Sequence, residues 1–271
     1  MDKTITVRDT CVHIEGQGPN TLVMLHGWPD TRELWLEQIA HFKSSHTCVS
    51  FTLPGFSATD RTDYSVDDIV ARIAEIVDAV SPEQRVTLLL HDWGCVFGYE
   101  YAMRNSQRVE KMIGLDVGDI DSDALRESLS TAGKLMVFVY QIILAMSFVL
   151  PRLIGNPIAR LMARALKAGS IKEHIHAGMS MPYAMRWFGT NGGLSGLLPV
   201  APKCPFFYGY ATQKPMMFHS RQWLAHLREN PCNRIEPFDC GHWIPVELAN
   251  ELNESLGEWL RSDRHEDVVT K

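Results

Sequence analysis

Short apolar and β-branched runs alternate with stretches of helical period along this chain, the mark of a mostly parallel sheet covered by helices. Strands are expected at residues 4–8, 12–15, 21–25, 47–52, 85–90, 111–115, 205–208 and 233–238, with helices between them at 31–42, 66–80, 94–105, 215–228 and 245–260. From 118 to 202 this rhythm breaks into a largely helical, Met- and Ala-rich stretch punctuated by Pro151, Gly155, Pro157 and Pro182. The expectation is an α/β core formed by 1–117 and 203–271, with 118–202 inserted as a helical cap. Within the insertion, 135–150 is a sixteen-residue apolar run holding only Gln141 and Ser147 as polar positions. A membrane span needs ~20 residues, so a buried or lid helix is expected, with peripheral membrane contact the lesser alternative. The charged tail, 261–271, is expected to fray.

Composition narrows the function classes. With 271 residues, 45% hydrophobic, 21% charged and a formal net charge of −6, the chain is an ordinary globular one; collagen-like, disordered and disulfide-scaffold classes are excluded. No Lys/Arg block is present, which places nucleic acid low among possible partners. The six cysteines (Cys11, Cys48, Cys95, Cys204, Cys232 and Cys240) form no C-x-x-C pair. The start MDKTITVRD lacks an apolar run before a cleavage site, so reduced thiols in a cytoplasmic protein are expected. His174 and His176 form an H-x-H pair, but no third ligand accompanies them. Neither a metal nor a cofactor is expected.

The strongest chemical signal is Leu88-Leu89-Leu90-His91-Asp92-Trp93-Gly94-Cys95, an apolar strand that ends in a carboxylate and passes at once into a helix. This is the strand, sharp turn and helix of a nucleophile elbow, with Asp92 at the position of the usual serine. Asp is also a favoured helix N-cap, and capping alone is the competing account. Three motifs in order weigh against it. Leu25-His26-Gly27-Trp28-Pro29-Asp30 closes the third strand and can aim the Trp28 backbone N–H at the elbow, supplying with the Trp93 N–H a two-donor oxyanion hole. Leu53-Pro54-Gly55-Phe56-Ser57 follows the fourth strand, and Cys240-Gly241-His242-Trp243 puts a histidine in a loop after the last.

With these motifs the chain resembles the α/β-hydrolase fold family, and within it the epoxide hydrolase and haloalkane dehalogenase branch with an aspartate nucleophile. The resemblance runs through HGWP, LPGFS, HDWG and GHW over nearly the whole chain and implies an eight-stranded, mostly parallel sheet. Dehalogenases of this kind typically carry Asn after His-Gly to hold the halide; Trp28 stands there instead. The usual acid position is also empty, because the loop 209–214 (Gly-Tyr-Ala-Thr-Gln-Lys) has no carboxylate. Some members of both branches place the acid one strand earlier, which here points to Asp116, with Asp119 and Asp121 as close competitors. Epoxide hydrolases resemble one another in opening the ring with cap tyrosines or a His/Tyr pair. That resemblance implies Tyr140 and Tyr183 here, with packed aromatics the competing account and His174 or His176 an alternative donor.

The resemblance implies attack by Asp92 on a saturated carbon and an alkyl ester, then hydrolysis by a water that His242 activates under orientation by Asp116. Trp28 and Trp93 would form the oxyanion hole, and Trp93, Trp187 and His91 would touch substrate. The expected partners are a small apolar substrate and water, in a monomer or homodimer. The ranking is an epoxide hydrolase first, a haloalkane or haloacid dehalogenase second and a non-catalytic ligand-binding relative third. A serine esterase comes last, since no Ser sits at the elbow.

Overall fold

The computed structural model describes residues 2–120, 122–169 and 174–262. Asp121 and the tail beyond Ser262 lie outside them.

Eight strands form one sheet: β1 Lys3–Val7, β2 Thr10–Glu15, β3 Asn20–Leu25, β4 His46–Phe51, β5 Val86–His91, β6 Val109–Leu115, β7 Phe206–Ala211 and β8 Arg234–Phe238. Their order is β1-β2-β4-β3-β5-β6-β7-β8. β1 pairs antiparallel with β2 and β2 with β4, and every later pairing is parallel. All six residues of β5 are buried, as expected of a central parallel strand covered on both faces. Side chains alternate between faces with period two. Val23, Leu25, Leu88 and Leu90 thus enter one cluster, while Leu22, Met24 and Leu89 enter the other.

The helices are α1 Leu36–Phe42, α2 Val66–Val80, α3 Trp93–Arg104, α4 Asp123–Ser128, α5 Thr131–Val149, α6 Arg152–Ala165, α7 Met181–Phe188, α8 Arg221–Arg228, α9 Ile244–Glu247 and α10 Ala249–Arg261. On one face α2, α3 and α8 bury Ile69, Ile73, Phe97 and Trp223; on the other α1 and α10 bury Ile39, Phe42, Leu252 and Leu256. α2 starts at a reciprocal capping box between Ser65 and Asp68, which satisfies two orphan N–H groups of its first turn.

Three expected helices differ in outline. The span 31–42 opens as a 3-10 turn, Arg32–Trp35, before α1 begins. The span 215–228 becomes helical only at Arg221, where the Ser220 hydroxyl caps the Trp223 N–H at 3.0 Å. The span 245–260 is broken at Leu248, whose φ of −129° and ψ of 44° separate α9 from α10.

The segment between β6 and β7 carries α4 to α7. Leu144, Ala145, Met181 and Tyr183 from this segment share a hydrophobic cluster with the sheet. The apolar run expected as a buried or lid helix lies in α5, where only Gly133, Leu144, Ala145 and Ser147 are buried.

Candidate active site

The end of β5 sets the geometry. Asp92 has φ 53° and ψ −124° and no side-chain hydrogen bond capping α3, so the capping account fails. A non-glycine residue held at such angles stores strain that the surrounding structure must offset. Close packing enforces the turn: a Cβ on Gly94 would run into the carbonyl oxygens of Leu25 and His26, and one on Gly27 would overlap the Asp92 side chain and the Trp93 nitrogen. The loop holding Gly27 is anchored through His26, whose Nε2 accepts from the Leu53 N–H at 2.9 Å while Nδ1 donates to the Gly27 carbonyl at 3.0 Å. Burial lowers the His26 pKa to about 4, in keeping with a neutral ring in this accepting role.

The Asp92 carboxylate is held from two sides. Its Oδ1 accepts the Trp28 backbone N–H at 2.6 Å, and the Trp93 backbone N–H also donates to the carboxylate. Its Oδ2 stands 3.4 Å from His242 Nε2. Burial opposes charge on Asp92, but the hydrogen bond and charge of His242, aided by Trp93, bring its pKa below the usual value.

His242 follows β8 and donates through Nδ1 to Asp116 Oδ2. Asp116 is fully buried at the end of β6 with φ 69°. Its Oδ1 accepts the Ala211 N–H at 2.8 Å and the Lys214 ammonium at 2.5 Å. The loop that lacks the usual acid therefore delivers a backbone donor and a cation to an acid on the neighbouring strand. Burial works against charge on Asp116 as well, and Lys214 and His242 override it. For His242, burial alone would favour the neutral ring, but the hydrogen bonds and charges of Asp116 and Asp92 raise its pKa to about 9.

Asp119, the competitor among the described residues, and the nearby Asp239 make other hydrogen bonds. Asp119 accepts from Ser220 and Ser122, and Asp239 accepts from the Thr212 hydroxyl. Asp121 is outside the described residues.

Asp92 and His242 face a cavity of about 440 Å³, whose wall includes Trp28, Tyr140, Tyr183, Lys214 and Phe218. A smaller space of about 100 Å³ meets Asp92, Tyr140 and Tyr183 from a side lined by Trp93, Val96, Leu125 and Val137. The Tyr140 and Tyr183 rings meet edge to face with centroids 6.4 Å apart. Tyr140 accepts from the Gln141 amide at 3.0 Å, and Gln141 accepts from the Trp187 indole at 2.9 Å. The Tyr183 hydroxyl accepts from the Trp93 indole N–H. Each hydroxyl thus accepts a hydrogen bond from a neighbouring side chain. Burial raises both phenol pKa values, that of Tyr140 to about 12.

Two expected substrate contacts are corrected. His91 is fully buried beneath His242, with ring centroids 4.6 Å apart and Nε2 bonded to the His242 carbonyl at 2.9 Å. It props the histidine loop and does not line the cavity. Trp187 spends its indole N–H on Gln141 and packs edge-on against Phe138, so it supports Tyr140 from behind. His176 bonds the Phe56 carbonyl and His174 faces Glu33; neither lines the cavity. Among the described residues no His/Cys/Asp/Glu group is arranged to hold a metal.

A family model described as the alpha/beta hydrolase fold matches residues 20–147. The crystal structure of a Bacillus megaterium epoxide hydrolase with an inhibitor superimposes with a TM-score of 0.73 at 20% identity, covering 96% of this chain and 100% of that one. The chain has the α/β-hydrolase fold. Epoxide hydrolase 2 of Caenorhabditis elegans is 30% identical over 118 residues, 41% of this chain and 33% of the relative. A haloalkane dehalogenase of Mycolicibacterium smegmatis is 29% identical over 110 residues, 38% of this chain and 35% of the relative. The chain spans about a third of the length of these curated relatives.

Within this α/β-hydrolase fold, sequence reasoning missed Lys214 and Gln141. Lys214 sits in the loop where an acid was sought, and that substitution of charge was its one available signal. Gln141 was visible only as a polar interruption of an apolar run.

Proposed function

We propose that this chain is a hydrolase that forms an alkyl ester on Asp92 and that its substrate is an apolar epoxide. The observation that carries the reading is a cavity lined together by Asp92, His242, Tyr140 and Tyr183.

The chemistry follows from which atoms are free. Asp92 Oδ1 is tied to the Trp28 N–H, so Oδ2 is the attacking oxygen. It forms a C–O bond to an epoxide carbon as the ring C–O bond breaks, and the electron pair moves to the departing oxygen, which takes its proton from a tyrosine hydroxyl. Oδ1 becomes the ester carbonyl oxygen and keeps the Trp28 N–H, with the Trp93 N–H as the second donor beside the carboxyl group. Alkylation also removes the negative charge of Asp92, one of the two carboxylates that hold the His242 pKa near 9. The imidazolium is thereby made more acidic and can return a proton to the tyrosinate. Neutral His242 then takes a proton from water attacking the ester carbonyl and the oxyanion forms in the two-donor hole; on collapse the departing alkoxide takes the proton from His242 to become diol, and the Asp92 carboxylic acid returns its proton to His242, restoring the carboxylate and the imidazolium. A hole donor of this type contributes about 3 to 4 kcal/mol to such a step.

The intact Asp92, His242 and Asp116 geometry argues against a non-catalytic binding protein. One observation favours halide displacement as a second reading: the buried indole N–H of Trp28, a residue that lines the cavity, has no hydrogen-bond partner among the described residues. The test is mass spectrometry of His242→Gln incubated with a mixture of aryl epoxides and haloalkanes, with diol and halide measured for the unaltered protein. An adduct on Asp92 carrying the full epoxide mass, together with diol release, supports the first reading. Halide release with an alkyl adduct supports the second, and no adduct from either class overturns both.

A further inference from the structure

The longest helix of this fold turns an apolar face outward. Along α5, Leu135, Phe138, Val139, Met146 and Val149 are exposed, and their offsets from Leu135 of 3, 4, 11 and 14 residues put them on one stripe. Leu135 is 61% exposed. The opposite side carries Leu144, Ala145 and Ser147, which are buried, the first two in the shared core. α6 continues the surface: Gly155, Ala159 and Ala163 face inward at i, i+4 and i+8, while Leu153 and Leu161 are 91% and 62% exposed. Monomeric soluble domains rarely leave a contiguous apolar surface of this kind uncovered.

Charge says what covers it. Between Thr131 and Gly169 the chain has five Lys/Arg (Lys134, Arg152, Arg160, Arg164 and Lys167) and no Asp or Glu, in a protein of net charge −6. The four on and just after α6 are exposed beside its outward leucines. A polar face rich in Lys/Arg beside an apolar one is the pattern of a helix lying in a lipid interface. α5 is long and apolar enough to cross a bilayer by length and composition, but Leu144 and Ala145 fix it in the core, so it lies on a surface and does not span. A second copy fits poorly, because a self-complementary pairing sets this cationic segment against itself.

We propose that the outward faces of α5 and α6 dock on an anionic phospholipid bilayer. Met136 of α5, Ala165 of α6 and the adjoining Leu166 and Lys167 also line the cavity that holds Asp92. If the reading of the preceding section holds, the docked protein takes its apolar substrate from the lipid phase.

The test is co-sedimentation of the full chain with vesicles of phosphatidylcholine alone or mixed equally with phosphatidylglycerol, which requires no turnover and so stands apart from the catalytic reading. The mixed vesicles should bind roughly tenfold or more tightly, and added salt should reverse the difference. Arg152→Gln/Arg164→Gln should weaken binding to the mixed vesicles by roughly tenfold or more. Leu153→Ser/Leu161→Ser should weaken it with unchanged thermal melting, since both side chains are exposed. Equal binding to the two vesicle types, no binding to either, or unaltered binding by both variants overturns the proposal. So does self-association in solution that Leu153→Ser/Leu161→Ser abolishes.

Discussion

Replacing Lys214 by Met removes a buried cation from the acid that orients His242, and the consequence can be worked through in sign and size. Lys214 Nζ sits on Oδ1 of Asp116 and His242 Nδ1 on Oδ2. Two cations on opposite oxygens of one carboxylate lie roughly 5 to 6 Å apart, where an effective dielectric near 20 gives about 3 kcal/mol of repulsion. That corresponds to about 2 pKa units, and relaxation around the vacated site reduces it to roughly 1 to 2. Lys214 opposes protonation of His242, so its removal makes the ring a stronger base that stays protonated to higher pH. In the proposed mechanism, hydrolysis of the Asp92 ester needs the neutral ring. The ascending limb of its pH profile should therefore move up by roughly 1 to 2 units and the rate at neutral pH should fall about 10- to 100-fold. Alkylation needs only ionised Asp92 and should change less. The assay is single-turnover decay of the alkyl-enzyme by quenched-flow mass spectrometry from pH 5 to 10, with Lys214→Arg as the charge-keeping control. A limb that stays in place, or moves to lower pH, refutes the reasoning; Lys214→Met and Lys214→Arg behaving alike would reduce Lys214 to a packing role.

Four further outcomes are expected. Asp92→Asn should form no adduct and turn nothing over, because a neutral amide cannot attack the carbon, and near-normal diol formation would remove Asp92 as nucleophile. Gln141→Leu removes the donor to Tyr140 and should slow alkylation about tenfold, the size of one hydrogen bond of about 1 to 1.5 kcal/mol, without changing ester hydrolysis; equal slowing of both steps in pre-steady-state kinetics would count against the assignment. Burial holds His26, His91 and His219 neutral with pKa values lowered to about 4, so stability should be complete above pH 6.5 and fall towards pH 4, by at most about 3 kcal/mol per histidine. The raised pKa of His242, about 9, acts in the other direction: its contribution is present below pH 6.5 and is lost as pH rises through 9. Urea titrations across pH 4 to 10 would show both limbs, and a flat acid side would contradict the neutral histidines. Gly94→Ala should lower the melting temperature markedly, since its Cβ would meet the Leu25 and His26 backbone oxygens.

What the sequence made legible follows from the range of the forces involved. The strands and the elbow are local: a β-branched run, a carboxylate and a small residue at 94 specify a strand, a strained turn and a helix within a few positions. Trp28, Trp93, Asp116 and His242 could be named because each sits at the carboxyl end of a strand, where a parallel sheet brings loop residues together whatever their separation in the chain. Side-chain direction on the segment between β6 and β7 is not local in this sense. Trp187 and Tyr183 lie four residues apart on α7, yet Tyr183 faces the cavity while Trp187 turns its N–H to Gln141. Helical periodicity cannot distinguish them, because α5 and the sheet each claim part of that helix.

The same limit applies to the apolar run in α5. Apolar composition says that a surface avoids water, and either a protein core or a lipid can satisfy it. The deciding evidence is which side chains already have a partner: Leu144 and Ala145 do, in the shared core, whereas Leu135, Phe138 and Val149 remain exposed. A buried helix would have spent its apolar surface inside the fold. This helix keeps much of it on the outside, beside the cations of α6 and at the rim of the cavity that holds Asp92. On the proposed reading, the apolar outer face of α5 and access to the Asp92 cavity are therefore features of one surface, and a substitution on that face should change how an apolar substrate arrives without moving an atom around Asp92.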